Sequence, residues 1–233
     1  MLSVAAGLLC DVVCARRNDG LRTWLADVLA RAAAGEREAL YAAYTAAPRK
    51  AGRDPLRLSP AERVHLDANA PGHSFDTWTC EDALRAVLLL SLAEDVPPDD
   101  LVIVGMECYD RGDSREQQSW LKGLPLMPCA ERFLPAAIDA CRTNIVPLFE
   151  SIACENTYPA RYFPELHFNQ LVLKALFLGV SLTRVAGLDR RVNTELSRMA
   201  RDYAAELRAA GRPVPPDLPL ALTAASQSEG QPR

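Results

Sequence analysis

Residues 142–174, "RTNIVPLFESIACENTYPARYFPELHFNQLVLK", crowd ionisable and amide side chains into an otherwise apolar stretch. Glu150, Glu155, Glu165 and His167 are residue types that exchange protons with a substrate, while Arg142, Arg161 and Lys174 are cations able to hold an anionic one. Asn144, Asn156, Tyr158 and Asn169 add neutral hydrogen-bonding groups between them. Such groups in a hydrophobic neighbourhood either satisfy one another in a connected network or line a ligand pocket. The residues leave both readings open.

The elements that would position these groups follow from the pattern. On a helix advancing about 100° per residue, "ELHFNQLVLKALFL" places His167, Gln170 and Lys174 on one stripe, which reads as a wetted face. Glu165 and Asn169 instead share a face with Val172 and Leu176 and need partners or water if that face is buried. Upstream, Pro159 and Pro164 are expected to hold "YPARYFP" as an extended, rigid strap. That strap would carry Tyr158, Arg161 and Tyr162 over the N-terminus of the following helix, where unpaired backbone N–H groups favour an anion. Glu165 in the first turn answers the same field, so helix capping accounts for it equally well.

Helical periodicity organises the rest of the chain. A helix from Asn18 or Asp19 carries Leu21, Trp24, Leu25, Val28 and Leu29 on one face and ends at Gly35, and a second, "EREALYAAYTAA", is expected to stop before Pro48. Ser59 followed by Pro60 opens a short helix, and Thr79 with Asp82 caps the strongly apolar "CEDALRAVLLLSLAED". "LVIV" at 101–104 has strand character, but its Pro–Asp entrance and helical surroundings favour a helix. Ser114 with Gln117 caps the next helix, one more covers roughly 130–142, Pro147 is tolerated in the first turn of the one after, and Asn193 or Thr194 opens the last, closed by Gly211. Residues 212–220 look extended. Short helices with brief connections and no convincing strand imply an all-α, irregular multi-helix bundle or stack of helical hairpins without a sheet. The chain reads as a single helical domain over 1–218 with a disordered polar tail over 219–233.

Composition excludes several classes. The 233 residues carry a net charge of −4 and lack the basic face of a nucleic-acid binder. The longest apolar runs fall short of the roughly 18 residues of a membrane span, so the protein is not expected to be integral to a membrane. The opening "MLSVAAGLLCDVVCARR" has no positive segment before its apolar one and is interrupted by Asp11, and Leu9 before Cys10 argues against a lipid-modified cysteine. A cytoplasmic protein is expected. Seven cysteines without a CxxC pair fit reduced core thiols, and His65, His73 and His167 have no zinc spacing, so neither a metal nor another cofactor is expected. Ser119 lacks the glycine-flanked context of a hydrolase nucleophile and is expected on an exposed helix face.

Four blocks, "GDSREQQSWLKGLPLMP", "CRTNIVPLFESIACEN", "YPARYFPELHFNQLVLKALFLGVSLTRVAGLDRR" and "NTELSRMARDYAAELRAAGRPVPPDL", run in uninterrupted order over roughly 112–218 and resemble the EboA family. This span would be the EboA-like core. The family's "RTN", "EN-YPA" and "FNQ..LKA" motifs map onto Arg142, Thr143, Asn144, Glu155, Asn156, Tyr158, Pro159, Ala160, Phe168, Asn169, Gln170, Leu173, Lys174 and Ala175. Thr157 departs from a position that is usually proline in the family, giving a less rigid strap.

The resemblance implies a place in a specialised-metabolite pathway. Such proteins are encoded beside a prenyltransferase-like membrane protein, a dehydroquinate-synthase-like enzyme, a TatD-like hydrolase and a sugar-isomerase-like protein. The expected function is therefore a helical accessory protein that binds a pathway metabolite or another protein of the cluster and supports synthesis or membrane export, in the cytoplasm or peripherally at the inner membrane. The alternative is a metal-free enzyme acting on a polar or prenylated cyclitol-like intermediate in a pocket around 142–174. Asp99–Asp100 lack the later partner of an aspartate-rich prenyl-diphosphate site. Converging carboxylates and cations would favour the enzyme, and paired or capped ones a scaffold.

Overall fold

A computed structural model describes residues 4–16 and 20–223. Among the described residues the chain is all-α, with thirteen helices and one isolated bridge between Pro55 and Thr79 in place of any sheet. It divides into two compact units, 1–137 and 138–233. Each is described by itself.

The first unit contains α1 (Val4–Ala15), α2 (Gly20–Ala33), α3 (Arg37–Ala51), α4 (Pro60–Asn69), α5 (Cys80–Leu92), α6 (Pro98–Arg111) and α7 (Ser114–Gly123), and the division falls within α8 (Leu134–Ala140). Every residue of α5 is buried, and α1, α2, α3, α6 and α7 all pack against it. A helix apolar nearly all round can sit only at the centre of a core. The capping signals are realised: Ser59 accepts from the Glu62 N–H and Thr79 from the Asp82 N–H, and in each case the acidic side chain returns the bond. "LVIV" is helical within α6.

Three expectations in this unit are corrected. The cap of α7 is Asp113 with Glu116, one residue before the Ser114–Gln117 pair; the Asp113 carboxylate accepts from both the Arg115 and Glu116 N–H groups. α3 does not stop before Pro48 but runs through it to Ala51. The Tyr44 carbonyl that loses its helical donor there accepts instead from Arg85 Nε at 3.0 Å. Ser119 is not exposed: it is 1% accessible, donates to Asp82 Oδ1 at 2.5 Å and accepts from Arg85 at 2.9 Å. The same network pairs Arg85 with Glu81 at 3.3 Å and Lys122 with Asp82 at 2.8 Å. Burial pushes the Asp82 carboxyl up, but Lys122, the Ser119 hydroxyl and the Thr79 N–H together outweigh it and hold the group below the usual carboxylate range. The start expected for α2 at Asn18 or Asp19 lies outside the described residues.

The second unit contains α9 (Val146–Ala153), α10 (Tyr158–Tyr162), α11 (Glu165–Leu178), α12 (Leu188–Arg191) and α13 (Thr194–Ala209). α11 packs against α9, α13 and the 3-10 turn Leu182–Arg184. The single helix expected over 130–142 is a 3-10 turn, Ala130–Phe133, followed by α8, with Pro135 in the first turn of α8. The strap is also corrected. Residues 158–162 form α10 with Pro159 in its first turn, where the missing N–H has no helical acceptor to lose; only Phe163 and Pro164 are extended. The chain re-forms a 3-10 turn at Leu218–Ala221, with Ala221 fully buried, inside the stretch expected to begin a tail at 219. The tail beyond 223 lies outside the described residues. Among the described residues no helix is long and apolar enough to cross a membrane.

Candidate functional site

The loop after α9 is built around Arg184. Its guanidinium donates to Glu155 Oε1 at 2.8 Å and Oε2 at 3.0 Å, and to Glu150 Oε1 at 2.5 Å. The Glu155 N–H returns a bond to the Arg184 carbonyl at 2.8 Å, tying the loop to the turn that follows α11. Glu155 itself adopts φ 52°, a left-handed conformation unusual for this residue and held here by backbone and side chain together. The Glu155 and Glu150 hydrogen bonds keep Arg184 charged far above the physiological range. Burial pushes the neighbouring Cys154 thiol up to about 12, so it is a neutral packing group.

The next side chains hold α10 in place. Buried Asn156 donates from Nδ2 to the Ser151 carbonyl and accepts through Oδ1 from the Tyr158 N–H, both at 2.9 Å. Tyr158 is fully buried and its ring lies 4.7 Å from that of Tyr162. Arg191 satisfies the open carbonyls at the end of α10, donating to Ala160 at 2.6 Å and Phe163 at 2.8 Å, and it lies 4.5 Å over the Phe168 ring. Gly187 at φ 74° brings the loop so close that a Cβ there would stand 2.8 Å from Ala160 Cβ.

Asn169, 1% accessible, exchanges two amide hydrogen bonds with Asn193 at 3.2 and 3.0 Å, while Asn193 Oδ1 also caps α13 through the Leu196 N–H. Glu165, Arg161 and Asn144 are exposed. Glu165 sits in the first turn of α11 and Arg161 lies 5.7 Å over the Tyr162 ring.

A cavity of about 270 Å³ opens beside α11. Ile138, Cys141, Arg142, Phe163, His167, Gln170, Leu171 and Lys174 line it, so the stripe that reads as a wetted face forms one of its walls. His167 lines it with another part of its ring, since its Nδ1 is fully buried and has no hydrogen-bond partner among the described residues. Arg142 is exposed and its NH1 pairs with Asp139 at 3.4 Å, whereas no carboxylate pairs with Lys174 among the described residues. Burial raises the Cys141 thiol to about 12 despite the opposing charge of Lys174. The structure thus gathers Arg142, His167 and Lys174 at one cavity and places Glu150, Glu155, Asn156, Tyr158 and Asn169 away from its lining, in hydrogen-bonded networks. The anchors Arg184, Arg191 and Asn193 lie two dozen or more residues from most of the groups they hold. No local spacing rule connects them. The side-by-side His167, Gln170 and Lys174 were a visible signal, and the apolar wall from Ile138, Cys141 and Phe163 was not.

No curated protein and no solved structure matches this chain. The model of one family, described as metabolite traffic protein EboA, matches residues 5–222, nearly the whole chain, so the protein belongs to the EboA family.

Proposed function

We propose that the protein is a non-catalytic accessory protein of a specialised-metabolite pathway, binding one of its metabolites in the cavity beside α11 and supporting that metabolite's synthesis or membrane export. The observation that carries this reading is the meeting of Lys174, which no carboxylate pairs among the described residues, with Arg142, His167 and Gln170 at one cavity whose other walls are apolar. A family described by metabolite traffic supports holding a small molecule over transforming it.

The metal-free enzyme is the second reading. Its carboxylate candidates lie away from the cavity: Glu150 and Glu155 are engaged by Arg184, Glu165 is exposed, and none of the three is among the lining residues. His167 would have to serve as both acid and base. A protein partner, such as the membrane protein that the resemblance implies, is compatible with a filled cavity; Leu166 and Phe177 stand exposed on α11 and favour one.

The test is non-denaturing mass spectrometry of the full chain after exposure to a small-molecule extract from cells running the pathway. Gln170→Trp, at an exposed position on the cavity wall, is the control. A mass retained by the wild type, lost in Gln170→Trp and released unchanged on denaturation supports the proposal. Conversion of the retained species to a new mass favours the enzyme, and no retained small molecule at all overturns the cavity reading.

A further inference from the structure

We infer that the cavity's ligand is a small organic anion, a carboxylate or phosphate on a compact apolar body; this rests on the cavity being the binding site. The lining residues supply hydrogen-bond donors from Arg142, Gln170 and Lys174, and none of them is a carboxylate. One carboxylate stands near the rim: exposed Asp139 draws on Arg142 at 3.4 Å, so the unshared charge is that of Lys174. Its Nζ lies 5.8 Å from the Phe149 ring centroid, close to the outer limit for attraction to a ring.

One cation without a carboxylate partner among the described residues, Lys174, therefore lines the cavity, with Arg142 beside it. An anionic oxygen there would receive the Lys174 ammonium, with the Arg142 guanidinium and the Gln170 amide in the same lining. A cationic ligand would be repelled by Lys174, and a neutral polyol would leave its charge uncompensated. The remaining wall, from Ile138, Cys141, Phe163 and Leu171, is apolar, and the Cys141 thiol is uncharged. At about 270 Å³ the space falls below the roughly 300 Å³ floor of drug-sized sites, which calls for a compact body.

The test follows the imidazole NMR signals of the full-length protein, with His167→Gln assigning the His167 resonance. The probes are benzoate, phenyl phosphate, inorganic phosphate, benzyl alcohol and benzylamine. Saturable movement of the His167 signal by benzoate or phenyl phosphate is expected, the stronger of the two naming the head group. Lys174→Gln should weaken that binding about tenfold, and Lys174→Arg should restore most of it. Inorganic phosphate binding as tightly as phenyl phosphate would overturn the apolar body. Benzyl alcohol or benzylamine matching benzoate, or a neutral metabolite retained in the mass spectrum, would overturn the anion while leaving the cavity a binding site. Silence of His167 towards every probe, with no metabolite retained by the wild type, overturns the site and the anion together.

Discussion

Arg85 donates its Nε hydrogen to the carbonyl of Tyr44, and this is the carbonyl whose helical donor Pro48 has removed. A proline inside a helix costs about 3 kcal/mol, partly through that lost bond. Arg85 is only 2% accessible and also serves Glu81 and Ser119, so one buried cation repairs α3 and closes the polar network of α5 and α7. Arg85→Met should therefore destabilise the protein by about 3 to 5 kcal/mol, since it strands buried acceptors. Adding Pro48→Ala to that variant should recover about 1 kcal/mol, because residue 48 regains an N–H for Tyr44. A double-mutant cycle by urea denaturation measures this; strictly additive effects would show that Arg85 does not stand in for the helical bond.

His73 is buried against Phe75 and Trp78, its ring centroid 4.9 Å from that of Phe75, with neither nitrogen partnered. Burial lowers its pKa from 6.5 to about 4. As pH falls through 6.5 the unfolded chain takes up a proton that the native state refuses until about 4, so stability is full above this window and drains away within it. Between about pH 7 and pH 5 this residue should remove about 2 kcal/mol from the wild type. His73→Leu should lack that component. Denaturation of both proteins at both pH values isolates it, because acidic losses shared by other groups cancel.

The parts of the fold legible in the sequence are those decided within one turn. Ser59 with Glu62 and Thr79 with Asp82 carry their capping partners three residues away, and both boxes form. Pro48 misleads because the group that tolerates it, Arg85, is remote in sequence. Ser119 misleads for the same reason: its hydroxyl is buried through Asp82 and Arg85. In the second unit the pattern finds the polar groups but not their sorting. Whether Glu155 faces a ligand or an arginine depends on Arg184, 29 residues away, and periodicity is blind to that pairing.

That pairing predicts the behaviour of Glu155. Arg184 is about a third accessible, so solvent screens part of its attraction, and Glu155→Gln should cost about 1 kcal/mol. Retention of a small molecule should be unchanged once folded protein is matched, because Glu155 is not among the residues lining the cavity. Thermal unfolding and non-denaturing mass spectrometry on the same sample separate the two. Loss of the ligand from fully folded Glu155→Gln would return this loop to the binding site.

Thr157 has φ −79°, within the range that a proline ring imposes, and it immediately precedes α10. The bonds of Asn156 to the Ser151 carbonyl and the Tyr158 N–H do not involve the Thr157 N–H. Thr157→Pro should thus fit the native backbone while restricting the unfolded chain, adding about 0.4 to 1 kcal/mol. A fall in stability would show that the Asn156 conformation required before a proline conflicts with its two bonds.

The Asn169–Asn193 pair makes the sharpest distinction between a packing role and a ligand role. Asn193 Oδ1 is fixed by the N–H of Leu196 and faces Asn169 Nδ2 at 3.2 Å, so the pair cannot reverse its donors and acceptors without uncapping α13. In Asn169→Asp a carboxylate oxygen would oppose that acceptor in a site only 1% accessible. The native state then resists ionisation and the pKa of Asp at 169 rises above its unfolded value near 4. Relative to wild type, the variant should lose about 2 kcal/mol at neutral pH and regain most of it below about pH 4, where the protonated acid donates as the amide did. Asn169→Ala should show a loss without that recovery. Urea denaturation of the three proteins across this range decides the matter: a pH-independent deficit in the aspartate variant would mean that Asn169 is free of Asn193 in solution and available to a ligand.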